Sequence, residues 1–323
     1  MKMTKEECAK TLLGMDNILV LAHERPDGDA VGSAAALCLA LRSLGKNAVA
    51  KLDFFPKRME FIGEYLGENK YFEPDFIVST DTADKSMLGT ASIGKNRNEI
   101  DVDLSIDHHF SGVTYAKETC TDYGAAAACE LLYEIFKLLD VELTPEIADC
   151  LYLGISTDTG CFRYSNTTAG TFAAAEAIAR AGAQIERINR EQFETKSREC
   201  VMLEKMALSN VKMYLNDKVA VLPLTNDMLR RSNVREGEYT YLMAYPREIE
   251  GVLIGLTLKE RSPGVFNISI RTNPPADASS IAQIFGGGGH KMAAGCTIEG
   301  SLSTAINLLI RESKSALEEI GEL

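Results

Sequence analysis

Apolar positions in the first half of the chain alternate between two periods. Short apolar runs at 17–22 (NILVLA), 47–54 (NAVAKLDF), 75–80 (DFIVST) and 102–107 (VDLSID) have the length and composition of buried strands. Between and after them lie helical patterns. AVGSAAALCLALRSLG (30–45) reads as a helix closed by Gly45. YGAAAACELLYEIFKLLD (123–140) and TPEIADCLYLGIST (144–157) read as two consecutive helices, the second with Thr144 as N-cap and Pro145 in its first position. Strand–helix alternation of this kind predicts an α/β domain, a mainly parallel sheet flanked by helices.

The texture changes after about residue 208. VKMYLND and KVAVLPL (211–224) form a hairpin pattern, and 239–260 and 265–272 are β-rich with turns. Helices are predicted at 276–285 and 303–323, giving a smaller α+β domain. The expected organisation is a catalytic domain over 1–190, a charged helical linker over 191–208 and a second domain over 209–323. A chain of 323 residues has the length for two such units.

Composition narrows the function. With 46% hydrophobic and 25% charged residues the chain should fold. It has no run of eighteen apolar residues and its start is interrupted by charge, so neither a membrane span nor a signal peptide is predicted and the expected compartment is the cytoplasm. The eight cysteines show no CxxC spacing and read as reduced core thiols. A net charge of −12 disfavours long duplex nucleic acid as a partner, since such binding rests on many basic contacts to phosphate. A small anionic substrate stays open if metals reverse the local field.

The candidate chemistry sits where the strands end, which is where ligand crevices form in open α/β sheets. His23-Glu24-Arg25-Pro26-Asp27-Gly28-Asp29 follows the first strand. Pro-Asp-Gly is also good turn sequence and Asp29 would serve as the N-cap of the next helix, but neither accounts for His23. Asp81 ends the third apolar run and Asp107-His108-His109 the fourth, the two imidazoles diverging so that one can bind metal while the other faces substrate. Asp158 closes a helix at the negative end of its dipole, a placement that calls for a cation. His23, Asp27, Asp29, Asp81, His108 and Asp158 thus make four carboxylates and two imidazoles, a donor set that suits two divalent cations, Mn²⁺ first and Mg²⁺, Co²⁺ or Fe²⁺ as competitors. Paired cations of this kind serve phosphoryl displacement.

HERPDGDAVGS, DTAD, DHH and STDTGCFRYSNT resemble, in order, the motifs of the DHH phosphoesterases, and GGGGHKMAAG is similar to the glycine-rich signature of the DHH-associated domain. The form of the first motif and the chain length look most like the group that degrades short oligoribonucleotides and dephosphorylates 3′-phosphoadenosine 5′-phosphate, the nanoRNases. The resemblance implies one metal held by His23, Asp27 and Asp81 and another by Asp29, Asp81, His108 and Asp158, with Asp81 bridging. It implies Asp107 in support and His109 facing the scissile phosphate. In the second domain it implies that Arg271, Gly287, Gly288, Gly289 and His290 bind the distal nucleotide or phosphate across an interdomain cleft. By spacing alone the glycine run reads as a flexible loop or as an anion-binding nest. Expected partners are short single-stranded oligonucleotides and nucleotide bisphosphates, with no membrane and with a homodimer compatible. Competing readings are a pyrophosphatase or exopolyphosphatase, a linear or cyclic dinucleotide phosphodiesterase, a RecJ-like exonuclease, and a nucleotide-binding regulatory module without catalysis.

Overall fold

A computed structural model of the chain describes residues 1–67, 72–109, 114–235 and 237–323. They divide into two compact units, Met1–Thr195 and Lys196–Leu323. In the first, α1 (Lys5–Gly14) leads to β1 (Ile18–Leu21), α2 (Gly28–Ser43), β2 (Ala48–Ala50), α3 (Glu60–Leu66), β3 (Phe76–Thr80), β4 (Leu104–Asp107) and β5 (Glu118–Thr121). Four helices follow, α4 (Ala128–Leu138), α5 (Pro145–Asp158), α6 (Ala169–Arg180) and α7 (Ile185–Asn189).

The strands run in the order β2-β1-β3-β4-β5, all parallel. β1 to β4 are covered on both faces, which is why they read as continuous apolar runs. Val20, Val78, Leu104 and Ile106 face a large core shared with α2, α4 and α5, while Leu19, Leu21 and Val49 face a smaller one with Leu88, Ile100 and Val102. This strand order reverses direction at β1/β3, the position at which doubly wound sheets open a crevice. The predicted α/β architecture holds.

Three local expectations are corrected. Asp27, not Asp29, caps α2, its carboxylate accepting from the backbone N–H groups of Asp29 and Ala30. Asp29 instead lies fully buried in the first turn. The alanine-rich stretch 123–127 is not helix, since α4 starts only at Ala128. The four apolar runs are joined by a fifth strand, β5, whose ETCT sequence carried no strand signal.

The second unit contains α8 (Arg198–Leu208), β6 (Lys212–Tyr214), β7 (Val219–Leu224), α9 (Asn226–Ser232), β8 (Ile254–Ser262), β9 (Val265–Thr272), α10 (Ala278–Ile284), β10 (Gly288–His290), β11 (Ala293–Glu299) and α11 (Leu302–Glu319). Its sheet has the order β10-β11-β9-β8-β7-β6, antiparallel except for β7–β8. β6–β7 is the predicted hairpin, while residues 240–248 form short 3-10 turns rather than strand. No helix among the described residues is long and apolar enough to cross a membrane, and all eight cysteines are thiols, seven of them buried.

Candidate metal centre

The first loop of the crevice begins where β1 ends. His23 leaves the strand partly buried, and the cap that starts α2 turns Asp27 back toward it, with His23 Nε2 3.7 Å from Asp27 Oδ1. Asp81 follows β3 in a left-handed conformation (φ 48°), uncommon for a residue other than glycine and characteristic of functional turns. That turn places its buried carboxylate between two groups of side chains. Oδ2 lies 3.7 Å from His23 Nε2, and Oδ1 lies 3.6 Å from His108 Nε2. His108 Nε2 is also 3.7 Å from Asp29 Oδ2 and 3.2 Å from Asp158 Oδ2.

The six candidate ligands therefore come together as two sets, His23 with Asp27 and Asp81, and Asp29 with His108 and Asp158. Asp81 also converges with Asp107, His108 and His109. Asp107 accepts from the backbone N–H of His108 (2.8 Å) and of His109 (3.2 Å), and its Oδ1 is 2.9 Å from His109 Nδ1. The Asp107 carboxylate thereby fixes both the strand end and the ring of His109, which remains half exposed. Arg271 lies in β9, its guanidinium on the backbone oxygen of Ile270. Gly288, Gly289 and His290 pair with β11 as an edge strand, so this part of the glycine run is neither flexible loop nor open nest. Close approach explains two of its glycines: a Cβ at Gly287 would lie 2.2 Å from the carbonyl oxygen of Gly295, and one at Gly289 2.5 Å from that of Ala293.

The electrostatics of the first unit's cluster favour a cation. Burial, then the charges of Asp81 and Asp158, push the Asp29 carboxyl well above the usual range. Burial likewise raises Asp81, and raises Asp158 to about 6. Burial would lower His108, but the neighbouring carboxylates of Asp158, Asp81 and Asp29 override that and raise its pKa to about 11. Asp81 Oδ1 and His108 Nε2 are both buried without a hydrogen-bond partner, although such atoms are nearly always satisfied. Hard oxygen donors with two imidazoles and two orphaned buried polar atoms fit divalent cations, which would take the place of the proton on His108.

A consequence is testable in solution. A cation can take His108 Nε2 only if the proton leaves, so Mn²⁺ binding should release a proton and weaken by about tenfold per pH unit between pH 8 and 6.5. Titration calorimetry in buffers of different ionisation enthalpy counts that proton. A pH-independent affinity would remove His108 from the ligand set.

Parallel strands deliver carboxylates and imidazoles to one crevice suited to a divalent cation, and a small mixed-sheet unit follows in the chain. Residues 17–155 match the DHH family N-terminal domain and residues 216–319 the DHHA1 domain. The chain is 30% identical over 316 residues, 95% of its length and 92% of the relative's, to the bifunctional oligoribonuclease and PAP phosphatase NrnA of Thermus thermophilus. It is 25% identical to the protein of the same name from Bacillus subtilis, covering 91% and 93% of the two chains. An exopolyphosphatase-related protein from Bacteroides fragilis shares the fold, with a TM-score of 0.83 at 22% identity and 96% of each chain covered. The chain belongs to the DHH family and is a phosphoester hydrolase of the DHH–DHHA1 type, as the motif resemblance implied.

Proposed function

We propose that this chain hydrolyses short oligonucleotides to nucleoside 5′-monophosphates and removes the 3′-phosphate of 3′-phosphoadenosine 5′-phosphate, using two divalent cations, Mn²⁺ foremost. The observation that carries the two-ion reading is the carboxylate of Asp81, whose two oxygens face different ligand sets. One ion is assigned to His23, Asp27 and Asp81, the other to Asp29, Asp81, His108 and Asp158. When bound, the pair supplies Lewis acidity at the phosphorus centre and acidifies a nearby water. The substrate class rests on the similarity to relatives that bear the same bifunctional name along nearly their whole length.

His109 is assigned to the leaving oxygen. Its bond to Asp107 occupies Nδ1 and raises its pKa, which favours the protonated ring and leaves Nε2 as the donor, the arrangement of a general acid. His109→Ala should lower kcat on a dinucleotide by about 10²–10⁴-fold while two ions still bind. Parallel loss of metal would make His109 a ligand instead.

Residues 1–190 are assigned the metal chemistry, 191–208 the linker and 209–323 substrate binding. In the second unit His290, Ala293 and Arg271 are directly paired across β10, β11 and β9, so their side chains share one face with the small alanine between two basic residues. That row suits an anionic group, and Gly287, Gly288 and Gly289 keep the adjoining edge low. The deciding assay gives the purified chain Mn²⁺ and RNAs of two to twenty nucleotides, beside 3′-phosphoadenosine 5′-phosphate and pyrophosphate. Turnover of the shortest RNAs and of the bisphosphate is expected, and faster turnover of pyrophosphate than of either would overturn the reading.

A further inference from the structure

The segment that leads into α4 places no side chain among the candidate ligands, yet its backbone reaches two of them directly and a third through one amide. The carbonyl oxygen of Ala125 lies 3.3 Å from His108 Nδ1. The N–H groups of Ala128 and Cys129 donate to the two oxygens of Asp29, at 2.5 and 3.0 Å. The carbonyl of Ala126 accepts from Asn166 Nδ2 at 3.1 Å, and the same amide donates at 3.1 Å to the carbonyl of Asp158. Asp29, His108 and Asp158 are the residues that converge as the second ligand set.

We infer that residues 125–129 together with Asn166 form the outer shell of that set, and that Asn166 is a positioning residue for the ion it holds. The inference rests on the two-ion reading above and assigns parts to it. A carbonyl at His108 Nδ1 takes the ring's N–H and leaves Nε2 with its lone pair toward the ligand set, so the tautomer suited to a cation is selected by backbone. Two N–H donors at the start of an eleven-residue helix hold both Asp29 oxygens, fixing its rotation and offsetting part of its charge. Asp158 lies at the far end of a different helix, and Asn166 is what ties its backbone to the same segment.

The connection between Asp158 and Asn166 is unusual in conformation. Gly160, Cys161 and Phe162 have φ of 56°, 59° and 61°, three successive left-handed residues of which two carry side chains. Such excursions are unfavourable for residues that carry a side chain and persist where surrounding bonds hold them. Arg163 Nε bonds the carbonyl of Gly160 within the turn, and the Asn166 amide clamps its end. Asn166 is itself exposed, so shortening it opens no cavity in the core.

The test titrates Mn²⁺ calorimetrically into the metal-free full-length chain, with thermal melts alongside. The wild type should bind two ions. Asn166→Ala should bind one with wild-type affinity and the other about 10–100-fold more weakly, the range for loss of outer-shell partners. Asn166→Ser, which keeps a single donor, should fall between them and serves if the alanine variant does not fold. Two ions of unchanged affinity in Asn166→Ala would overturn the inference. Equal weakening of both ions, with a lower Tm for the metal-free variant, would also overturn it, because Asn166 would then support the fold and not one site. Fewer than two ions in the wild type would instead sink the two-ion reading, an outcome visible before any variant is made.

Discussion

Asp81→Ala is expected to cut hydrolysis by about four orders of magnitude, equivalent to about 5 kcal/mol in the transition state, and to reduce Mn²⁺ stoichiometry from two to at most one. The expectation follows from the two faces of its carboxylate, one toward His23 and the other toward His108. Asp81 is the side chain assigned to both ions, so its loss should disturb both. The fold should not suffer. Burial and then the charge of Asp27 raise the Asp81 pKa despite its contact with His108. A carboxyl that ionises more readily in the unfolded chain than in the folded one lowers stability as pH rises above about 4. The metal-free variant at pH 7 should therefore melt no lower than wild type, and Mn²⁺ should raise its Tm by less. Two ions bound with wild-type affinity would end the bridging assignment, and a collapse of the metal-free Tm would show that the carboxylate serves the fold.

How much of this was legible in the sequence depends on whether side chain or backbone carries the role. His23, Asp81, Asp107 and His108 were visible because each is a polar residue at the end of an apolar strand run, a position where burial without purpose is costly. Asp158 was visible through the dipole of α5. Asp29 stands out in the sequence as a candidate ligand, but its local role differs from the expected cap. Two aspartates two residues apart compete for the same cap, and only the packed helix shows that Asp27 takes it while Asp29 turns inward to the N–H groups of Ala128 and Cys129. The segment 125–129 gave no signal, because carbonyl and N–H groups are present in every residue and an alanine run reads as plain helix. β5 was hidden by its half-buried ETCT sequence at a sheet edge, and β10 by glycine, whose strand propensity is poor. Asn166 lay inside a recognised motif without a role of its own.

Gly154→Ala is the second large effect, and it reaches the ligands through packing. α2 runs along α5, and glycines make that approach possible: a Cβ at Gly28 would meet the Thr157 side chain at 2.3 Å, and one at Gly32 the Cys150 carbonyl oxygen at 2.3 Å. At Gly154 it would stand 2.3 Å from Cys129 Sγ and 2.4 Å from Asp29 Oδ1. In an open helix the same change would stabilise by about 1 kcal/mol, so helix propensity argues for a gain. Overpacking of a core argues for a loss of about 1–3 kcal/mol, and here it should win because neither neighbour can yield. Asp29 is pinned at both oxygens by backbone N–H groups, and Cys129 is fully buried against the carbonyls of Asp29 and Cys150. The methyl must push α5 outward, carrying Asp158 away from Asp29 and His108. A displacement near 1 Å in such a constellation costs about 10²-fold in rate. Gly154→Ala should accordingly lower the metal-free Tm, weaken Mn²⁺ at the Asp29 set and reduce kcat by at least about 10²-fold. Gly14→Ala, at the end of α1 with open space around it, should be neutral and serves as the control. Adding Cys129→Ala should recover part of the Tm but little of the rate, since it removes the sulfur and leaves the Asp29 oxygen in the way. Wild-type turnover in Gly154→Ala would mean that α2 and α5 separate without disturbing the ligands, and that the tight crossing serves stability alone.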